Sequence, residues 1–330
     1  MAGRSVPLPG TVDRVVGVGP GALRLLCHLG MADSVVAAEL PEHDDPAWTP
    51  PYNLANPQFR ELPTAGPQHG GDAEAILRQE PDLIVAGTPT ADVADQLQSR
   101  TDVPTIWIDQ GDFGEGREAL YDAWRTVGRA VGNPERAEEL VEFVESVRED
   151  LATRTDGAGT PPSSYVGAVS HRGGKGLTST EIPFPPLSML GTASVADGIR
   201  DGEETESGSG TVKRTVSGEK LLEWDPETIF LNRWNLPIVR EETNGSGFSE
   251  LSAVQRGDVY GVHPHYFYDY NPSTMLANTY FMGTVLYPEA FADVEPASAA
   301  DRIYDEFLGT ELYSEVEAAF GPYGSIDLPG

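Results

Sequence analysis

The sequence predicts an α/β protein with two Rossmann-like lobes, each built on a central parallel sheet, joined by a single long α-helix. The 330 residues exceed what one compact core usually needs. In both halves, short apolar runs alternate with amphipathic segments, which is typical of βαβ units. Between the halves lies one amphipathic segment long enough to form a helix of roughly 30 Å.

The first half, residues 1–132, is interpreted as the N-terminal α/β lobe. Strands are predicted at residues 14–18, 34–39, 83–86 and 105–108, and helices at 21–29, 72–79, 91–99 and 117–131. Each predicted strand is a buried apolar run bounded by turn residues, as parallel strands covered on both faces require. A loop rich in Pro, Asn and Trp is expected over residues 40–63.

Residues 133–156 are predicted to form the connecting long helix. Pro134 occupies the first helical position, where its missing N–H costs nothing. Ala137, Leu140, Val144 and Leu151 recur at spacings that keep them on one helical face. A Gly- and Pro-rich stretch then marks the start of a second lobe.

Residues 157–330 are interpreted as the C-terminal α/β lobe. Strands are predicted at 164–169, 228–231 and 259–262, and helices at 185–190, 217–223, 274–286, 297–308 and 312–320. The acidic Ser/Gly stretch over residues 201–211 is expected to be a mobile loop because of its composition.

The composition restricts the class of partner. With 52 acidic and 22 basic residues, the formal net charge is −30, which makes nucleic acid an unfavourable partner. The charge is spread along the chain, as in folded proteins from high-salt habitats, and predicts a halophilic origin. Cys27 stands alone in the sequence, and we expect it to be a small buried residue without a metal or disulfide role.

The two halves contain a matching motif. Glu74 lies on a predicted short helix that precedes Pro81, an acid and a buried strand. Glu219 lies on another that precedes Pro226, an acid and a buried strand. This repetition predicts two lobes of similar design.

These segments resemble the substrate-binding proteins that serve ABC importers of iron-siderophore, haem and cobalamin compounds. The resemblance is to the halophilic archaeal type of these proteins and covers nearly the whole chain. It rests on an ordered set of segments: residues 14–26, 29–30, 74–77, 81–85, 103–105, 135–137, 256–260, 276–278 and 286–288. It implies the class III, TroA-like periplasmic binding protein fold, in which the ligand lies in a cleft between the lobes.

The function implied by the resemblance is capture of an iron(III) complex, a siderophore or haem-like chelate, outside the cell. A corrinoid and a molybdate- or tungstate-type oxyanion remain alternatives. The receptor would be a monomer with no cofactor of its own, held at the cell surface. The apolar core of a secretory signal and a lipid-attachment cysteine are absent from the sequence, although this role requires export.

An enzyme is the competing class of function. The turn from Gly17 to Gly21 follows a strand and opens a helix, and Glu39 ends the next strand, as in dinucleotide-binding folds. The glycine spacing is G-x-G-x-G with Pro20 inside, rather than G-x-G-x-x-G, and no catalytic motif emerges elsewhere. We therefore expect a cleft-facing turn, with ligand contacts from Gly19 and Pro20, and no enzyme.

The remaining candidate ligand contacts follow strands or lead into helices, where open α/β sheets bind ligands. In the first lobe these are Tyr52, Gln68 and His69. In the second lobe, His171 and Arg172 stand in a basic, Gly-rich strip that would suit an anionic, metal-containing ligand. Arg233 and Trp234 could hold a flat or anionic group, and Tyr266 and Tyr268 could stack on a macrocycle or bind iron through phenolate oxygen.

Glu74 and Glu219 have a separate predicted role. By the resemblance, one acid on each lobe docks onto a basic socket of the permease, so the partners are an ABC permease and its ATPase. The alternative is that each acid only stabilises the N-terminus of its short helix.

Overall fold

The structure is a computed structural model that describes residues 5–8, 10–42, 50–88, 90–114, 116–169, 175–199, 204–206, 211–243 and 247–328. The chain forms two compact units. Unit 1 consists of Met1–Glu145, Phe267–Asn271 and Tyr304–Thr310, and unit 2 of Ser146–Tyr266, Pro272–Ile303 and Glu311–Gly330. The predicted fold class, α/β with parallel sheets in two lobes, is confirmed.

Unit 1 is built on a parallel sheet of five strands in the order β3-β2-β1-β4-β5. The strands are β1 (Val15–Val18), β2 (Val35–Glu39), β3 (Thr64–Gly66), β4 (Leu83–Ala86) and β5 (Thr105–Trp107). Its helices are α1 (Ala22–His28), α2 (Pro51–Ala55), α3 (Ala73–Leu77), α4 (Ala91–Thr101) and α5 (Arg117–Ala130). The central strands β1 and β4 are buried along their whole length, which explains their unbroken apolar sequence.

The long helix α6 (Pro134–Thr155) begins at the predicted proline. Its apolar positions, Ala137, Leu140, Val144 and Leu151, are fully buried as the spacing predicted. The boundary between the two units falls inside α6, between Glu145 and Ser146.

Unit 2 contains a four-stranded sheet in the order β14-β11-β10-β6 and a three-stranded antiparallel sheet in the order β7-β9-β8. The strands of unit 2 are β6 (Ser164–Gly167), β7 (Ser179–Ile182), β8 (Glu204–Glu206), β9 (Val212–Thr215), β10 (Thr228–Asn232), β11 (Val259–Val262) and β14 (Gly324–Ser325). Strand β12 (Tyr266–Phe267) starts in unit 2 and ends in unit 1, and β13 (Asp269–Tyr270) belongs to unit 1. The helices are α7 (Pro185–Met189), α8 (Gly218–Trp224), α9 (Leu236–Thr243), α10 (Ser252–Arg256), α11 (Pro272–Leu286), α12 (Pro296–Leu308) and α13 (Tyr313–Phe320), and the part of α12 from Tyr304 onwards belongs to unit 1. Strands β6, β10 and β11 are parallel.

Two stretches predicted as loops contain regular structure. Within the acidic stretch 201–211, Glu204–Glu206 forms the edge strand β8, paired with β9. An edge strand gains backbone hydrogen bonds without needing an apolar face, so its composition resembles that of a loop. Within residues 40–63, the helix α2 starts at Pro51, a favoured first helical residue.

Hydrophobicity within the described ranges does not predict a membrane span. The most apolar long helix, α11, has 15 residues and is almost entirely buried. A bilayer-spanning helix needs about 20 apolar residues. No helix in the described part of the chain reaches that length with the required hydropathy.

Candidate functional site

The candidate site in unit 1 lies at the carboxyl ends of the parallel strands β1, β2 and β3. Strand order reverses between β1 and β4, and such a switch point is where open α/β sheets bind ligands. The side chain of Glu39, the last residue of β2, is buried at this edge. It organises the surrounding turns.

The Glu39 carboxylate accepts four hydrogen bonds. One oxygen accepts from the Gly19 N–H at 2.7 Å and from the Tyr268 hydroxyl at 2.6 Å. The other accepts from the N–H groups of Gly70 and Gly71 at 3.3 and 3.1 Å. Turns after β1 and β3 are thereby joined to the segment that carries Tyr268.

The segment around Tyr268 is held in place by Arg24 of α1. The Arg24 guanidinium is buried, donates to the Tyr270 carbonyl and lies 3.8 Å from the Asp269 carboxylate. The His69 N–H donates to the Tyr268 hydroxyl at 2.7 Å, and the two rings lie 5.2 Å apart. Since this hydroxyl donates to Glu39, phenolate ligation of iron by Tyr268 would require breaking that bond.

The hydrogen bonds around Glu39 favour its negatively charged form. Burial raises the pKa of its carboxyl, and the hydrogen bonds from Tyr268, Gly19, Gly71 and Gly70 oppose that rise. The Tyr268 hydroxyl accepts from the His69 N–H and donates to Glu39. Three of the four partners are backbone N–H groups, which can only donate, so they favour the carboxylate over the neutral acid.

The glycine turn after β1 does not present its backbone to a nucleotide. The Gly19 N–H is bonded to Glu39, and the Gln110 side chain donates to the carbonyls of Pro20 and Gly87. A dinucleotide fold would leave this turn open for pyrophosphate and the acid free for a ribose. The contacts of Gly19 and Glu39 thus weigh against the enzyme alternative.

We expect Tyr268→Phe to lower the free energy of unfolding by about 2 kcal/mol. The substitution removes the hydroxyl that donates to the buried Glu39 carboxylate and that accepts from the His69 N–H. Tyr323→Phe is the matched control because its hydroxyl donates to a neutral amide oxygen, that of Asn278. We expect the control to cost about 1 kcal/mol in the same urea titration. Equal costs would contradict a charged Glu39.

Unit 2 contains a second buried polar cluster, centred on Glu181 of β7. Its carboxylate accepts from the hydroxyls of Thr211 and Tyr266 at 2.5 and 3.0 Å, and from His265 Nε2 at 3.0 Å. Lys213 Nζ lies 3.5 Å from the same carboxylate and 3.2 Å from the centre of the Tyr266 ring. The cluster fixes Tyr266 through both its hydroxyl and its ring.

Charge in this cluster is balanced inside the protein. Burial alone would raise the pKa of Glu181, but Lys213 and His265 outweigh burial and lower it to about 2. Burial also lowers the pKa of His265, against the opposing effect of Glu181. Glu181 and Lys213 therefore form a buried ion pair beside a neutral histidine.

Arg233 and Trp234 lie after the carboxyl end of β10, as predicted. Arg233 is half-buried, packs against Gly261 and Gly321, and has its pKa lowered by burial. Its Nε is buried and has no hydrogen-bond partner among the described residues. The Trp234 ring contacts Phe320 edge-on at 6.3 Å. Arg233 is thus a cation to which the described part of the chain supplies no carboxylate within ion-pair distance.

The other predicted ligand contacts do not form one cluster within the described residues. The structure brings Gly19, His69 and Tyr268 together around Glu39, while Tyr266 belongs to the Glu181 cluster. Gln68 and His69 are exposed, and Tyr52 is buried in α2. His171 and Arg172 lie outside the described residues.

Sequence reasoning missed Glu181, Lys213, Thr211 and His265 as a connected group. Their sequence positions span residues 181–265, and they meet because β7 and β9 pair. One signal was available: Lys213 is one of three lysines in the chain. A rare lysine inside a β-like run is unusual enough to predict a buried partner.

The predicted internal repeat is present in detail in the two short helices that carry Glu74 and Glu219. Each acid is the exposed second residue of its helix. The N-cap side chain, Asp72 or Ser217, accepts from the N–H three residues on, at 2.8 or 3.1 Å. Both helices therefore have the same capped first turn.

The repeat continues past each helix. Glu80 and Asp225 both adopt a positive φ immediately before a proline. The next acid holds the residue before a parallel strand: Asp82 accepts from the Arg14 N–H and Glu227 from the Ser163 N–H, both at 2.9 Å. Glu74 and Glu219 are thus presented by equivalent supports in the two units.

A resident metal site is not evident. Within the described ranges, no group of three or more His, Cys, Asp or Glu side chains could hold a metal ion.

Several solved structures share the fold of this chain. One is a periplasmic solute binding protein from Veillonella parvula, 16% identical, with a TM-score of 0.74 and coverage of 97% of this chain and 94% of that chain. The protein MolA of Haemophilus influenzae, bound to molybdate, is 18% identical with a TM-score of 0.68, covering 93% and 96%. CeuE of Helicobacter pylori, in a complex with Ni-His, is 16% identical with a TM-score of 0.62, covering 94% and 95%.

The Veillonella parvula structure and MolA are described as periplasmic binding proteins, and the sequence of this chain matches a family of that description. The family profile described as periplasmic binding protein matches residues 15–266. The chain therefore belongs to the periplasmic binding protein family. No curated protein matches it.

Proposed function

We propose that this protein is the extracellular substrate-binding component of an ABC importer, and that its cargo is an iron(III) complex such as a siderophore or haem-like chelate. The observation that carries the receptor role is the family match over residues 15–266. Family membership also supports a location outside the cytoplasmic membrane and an ABC permease with its ATPase as partners.

An anionic cargo is supported by the charges in unit 2. Arg233 is a half-buried guanidinium with no ion pair in the described part of the chain. An unpaired cation at the carboxyl end of a parallel strand is suited to a carboxylate, phosphate or chelate oxygen. Lys213, by contrast, is neutralised by Glu181 and is not offered to a ligand.

A tetrahedral oxyanion is the second candidate cargo. The similarity to MolA bound to molybdate favours it, since the two chains match over almost their full lengths. A corrinoid remains a third candidate from the sequence resemblance.

The cargo can be identified by purifying the protein from its native host and recording its absorption spectrum and elemental content. We expect one equivalent of iron with a visible charge-transfer or Soret band. Molybdenum or tungsten without such a band would establish the oxyanion, and cobalt with a corrin spectrum the corrinoid. A protein that carries none of these metals and binds none of the three ligand types in titration calorimetry would contradict the proposal.

A further inference from the structure

The Glu39 carboxylate occupies a backbone site of the kind that binds free anions. We infer that Glu39 is the resident anion of this site, and that it excludes oxyanions and carboxylates from the carboxyl end of the unit 1 sheet. This specificity role rests on the proposed receptor function, whereas the occupancy of the site does not.

The donors around Glu39 have the geometry of an anion-binding nest. The successive N–H groups of Gly70 and Gly71 converge on one oxygen, and the Gly19 N–H and Tyr268 hydroxyl converge on the other. Successive backbone N–H groups in a turn bind phosphate and similar anions in many proteins. Here a side chain of the same protein supplies the anion.

Glycine is required at the centre of the nest. Gly19 has a φ of 82°, and a Cβ there would lie 2.9 Å from the Gly87 backbone. Gly71 has a φ of 63°, and a Cβ there would lie 3.0 Å from the Ile76 side chain. Both residues adopt a left-handed conformation that side chains disfavour, so the donors are set by backbone geometry.

The occupied nest determines which ligand groups unit 1 can accept. An incoming oxyanion would find these three N–H groups already bonded and would meet the negative charge of Glu39. A neutral or cationic group meets no such repulsion. The anionic part of a cargo must therefore be bound by residues outside this nest.

The test empties the nest and offers a replacement anion. We expect Glu39→Ala to lower the melting temperature by at least about 5 °C, because three N–H groups and a hydroxyl lose their acceptor. Sodium formate should restore part of this loss in a saturable manner, at constant ionic strength with gluconate as the bulky background anion. The stabilisation by formate should be larger in Glu39→Ala than in the wild-type protein, which retains Arg233 but has no empty nest.

Glu227→Ala is the matched control because Glu227 also accepts a backbone N–H, that of Ser163, but is fully exposed. Water replaces its carboxylate, so formate should have no larger effect than in the wild-type protein. If Glu39→Ala is unfolded without added anion, the same titration is read as recovery of far-UV circular dichroism. Melting or recovery that is insensitive to formate in Glu39→Ala would overturn the inference.

The titration contains no cargo, so its result is independent of the receptor assignment. The specificity role has its own readout, molybdate added to the Glu39→Ala variant in place of formate. Saturable stabilisation by molybdate is expected to be larger in this variant than in the wild-type protein, because Arg233 is present in both and only the variant has an empty nest. Stabilisation of both proteins to the same extent would show that Glu39 excludes nothing.

Discussion

Glu181→Gln is expected to destabilise the protein by about 3–5 kcal/mol, the largest effect of any single substitution considered for unit 2. The side chains of Glu181 and Lys213 are 0% and 3% exposed. Removing the negative charge leaves the Lys213 ammonium buried beside the Tyr266 ring without its carboxylate. Urea unfolding of the wild-type protein and the variant measures the loss.

A double variant separates the ion pair from the rest of the cluster. Glu181→Gln combined with Lys213→Met contains no uncompensated charge, and methionine can still pack on the Tyr266 ring. We expect the double variant to be more stable than Glu181→Gln alone, because a buried pair contributes little once both charges are absent. Additive losses would contradict a direct coupling of the two charges.

The exposed pair of Lys220 and Glu223 is the control, since its atoms are also close, at 3.0 Å, while the glutamate side chain is 70% exposed. Glu223→Gln should cost less than about 1 kcal/mol.

Acid provides a second readout for Glu181. Its pKa falls from 4.5 unfolded to about 2 in the fold, so its contribution is complete above about pH 4.5 and is lost as the pH falls towards 2. The difference in free energy of unfolding between the wild-type protein and Glu181→Gln should therefore decrease as the pH falls from about 4.5 towards 2.

Local sequence patterns predicted much of the fold because its parallel strands are buried on both faces. Strand β4 was predicted with its observed bounds, and α6 was predicted to within one residue at its C-terminus. The strand predicted over residues 164–169 ends at Gly167, because Ala168 has a φ of 58° and leaves the extended conformation. A single residue with positive φ leaves no signal in an apolar run.

The candidate site was less predictable because its contacts join residues far apart in sequence. The sequence identifies Glu39 as an acid that ends the second strand, as in dinucleotide-binding folds, but its partner Tyr268 is 229 residues away. The small sheet of β7, β8 and β9 was missed because Lys213 and Glu181 are charged residues on strand positions that are buried. Lys213 and Glu181 can be buried only because each neutralises the other, and the hydrophobic pattern of a single strand does not show such pairing.

Reversal of charge at both Glu74 and Glu219 is expected to abolish uptake of the cargo while leaving its affinity for the isolated receptor unchanged. Both side chains are exposed on equivalently capped helices, so substitution disturbs neither packing nor the strand ends. Facing a basic socket, each arginine replaces attraction by repulsion, and we expect each single variant to reduce uptake by at least about tenfold. Transport into proteoliposomes containing the permease and ATPase measures the first quantity, and calorimetry the second.

The controls reverse exposed acids that also lie in the first turn of a helix, Asp92 of α4 and Glu315 of α13. Asp92→Arg and Glu315→Arg change the net charge and the helix-dipole interaction as much as the test variants do. They should therefore transport at the wild-type rate if docking depends on the repeated motif. Equal loss in the controls would assign the effect to overall charge, and full uptake by Glu74→Arg/Glu219→Arg would show that these acids serve only their helices.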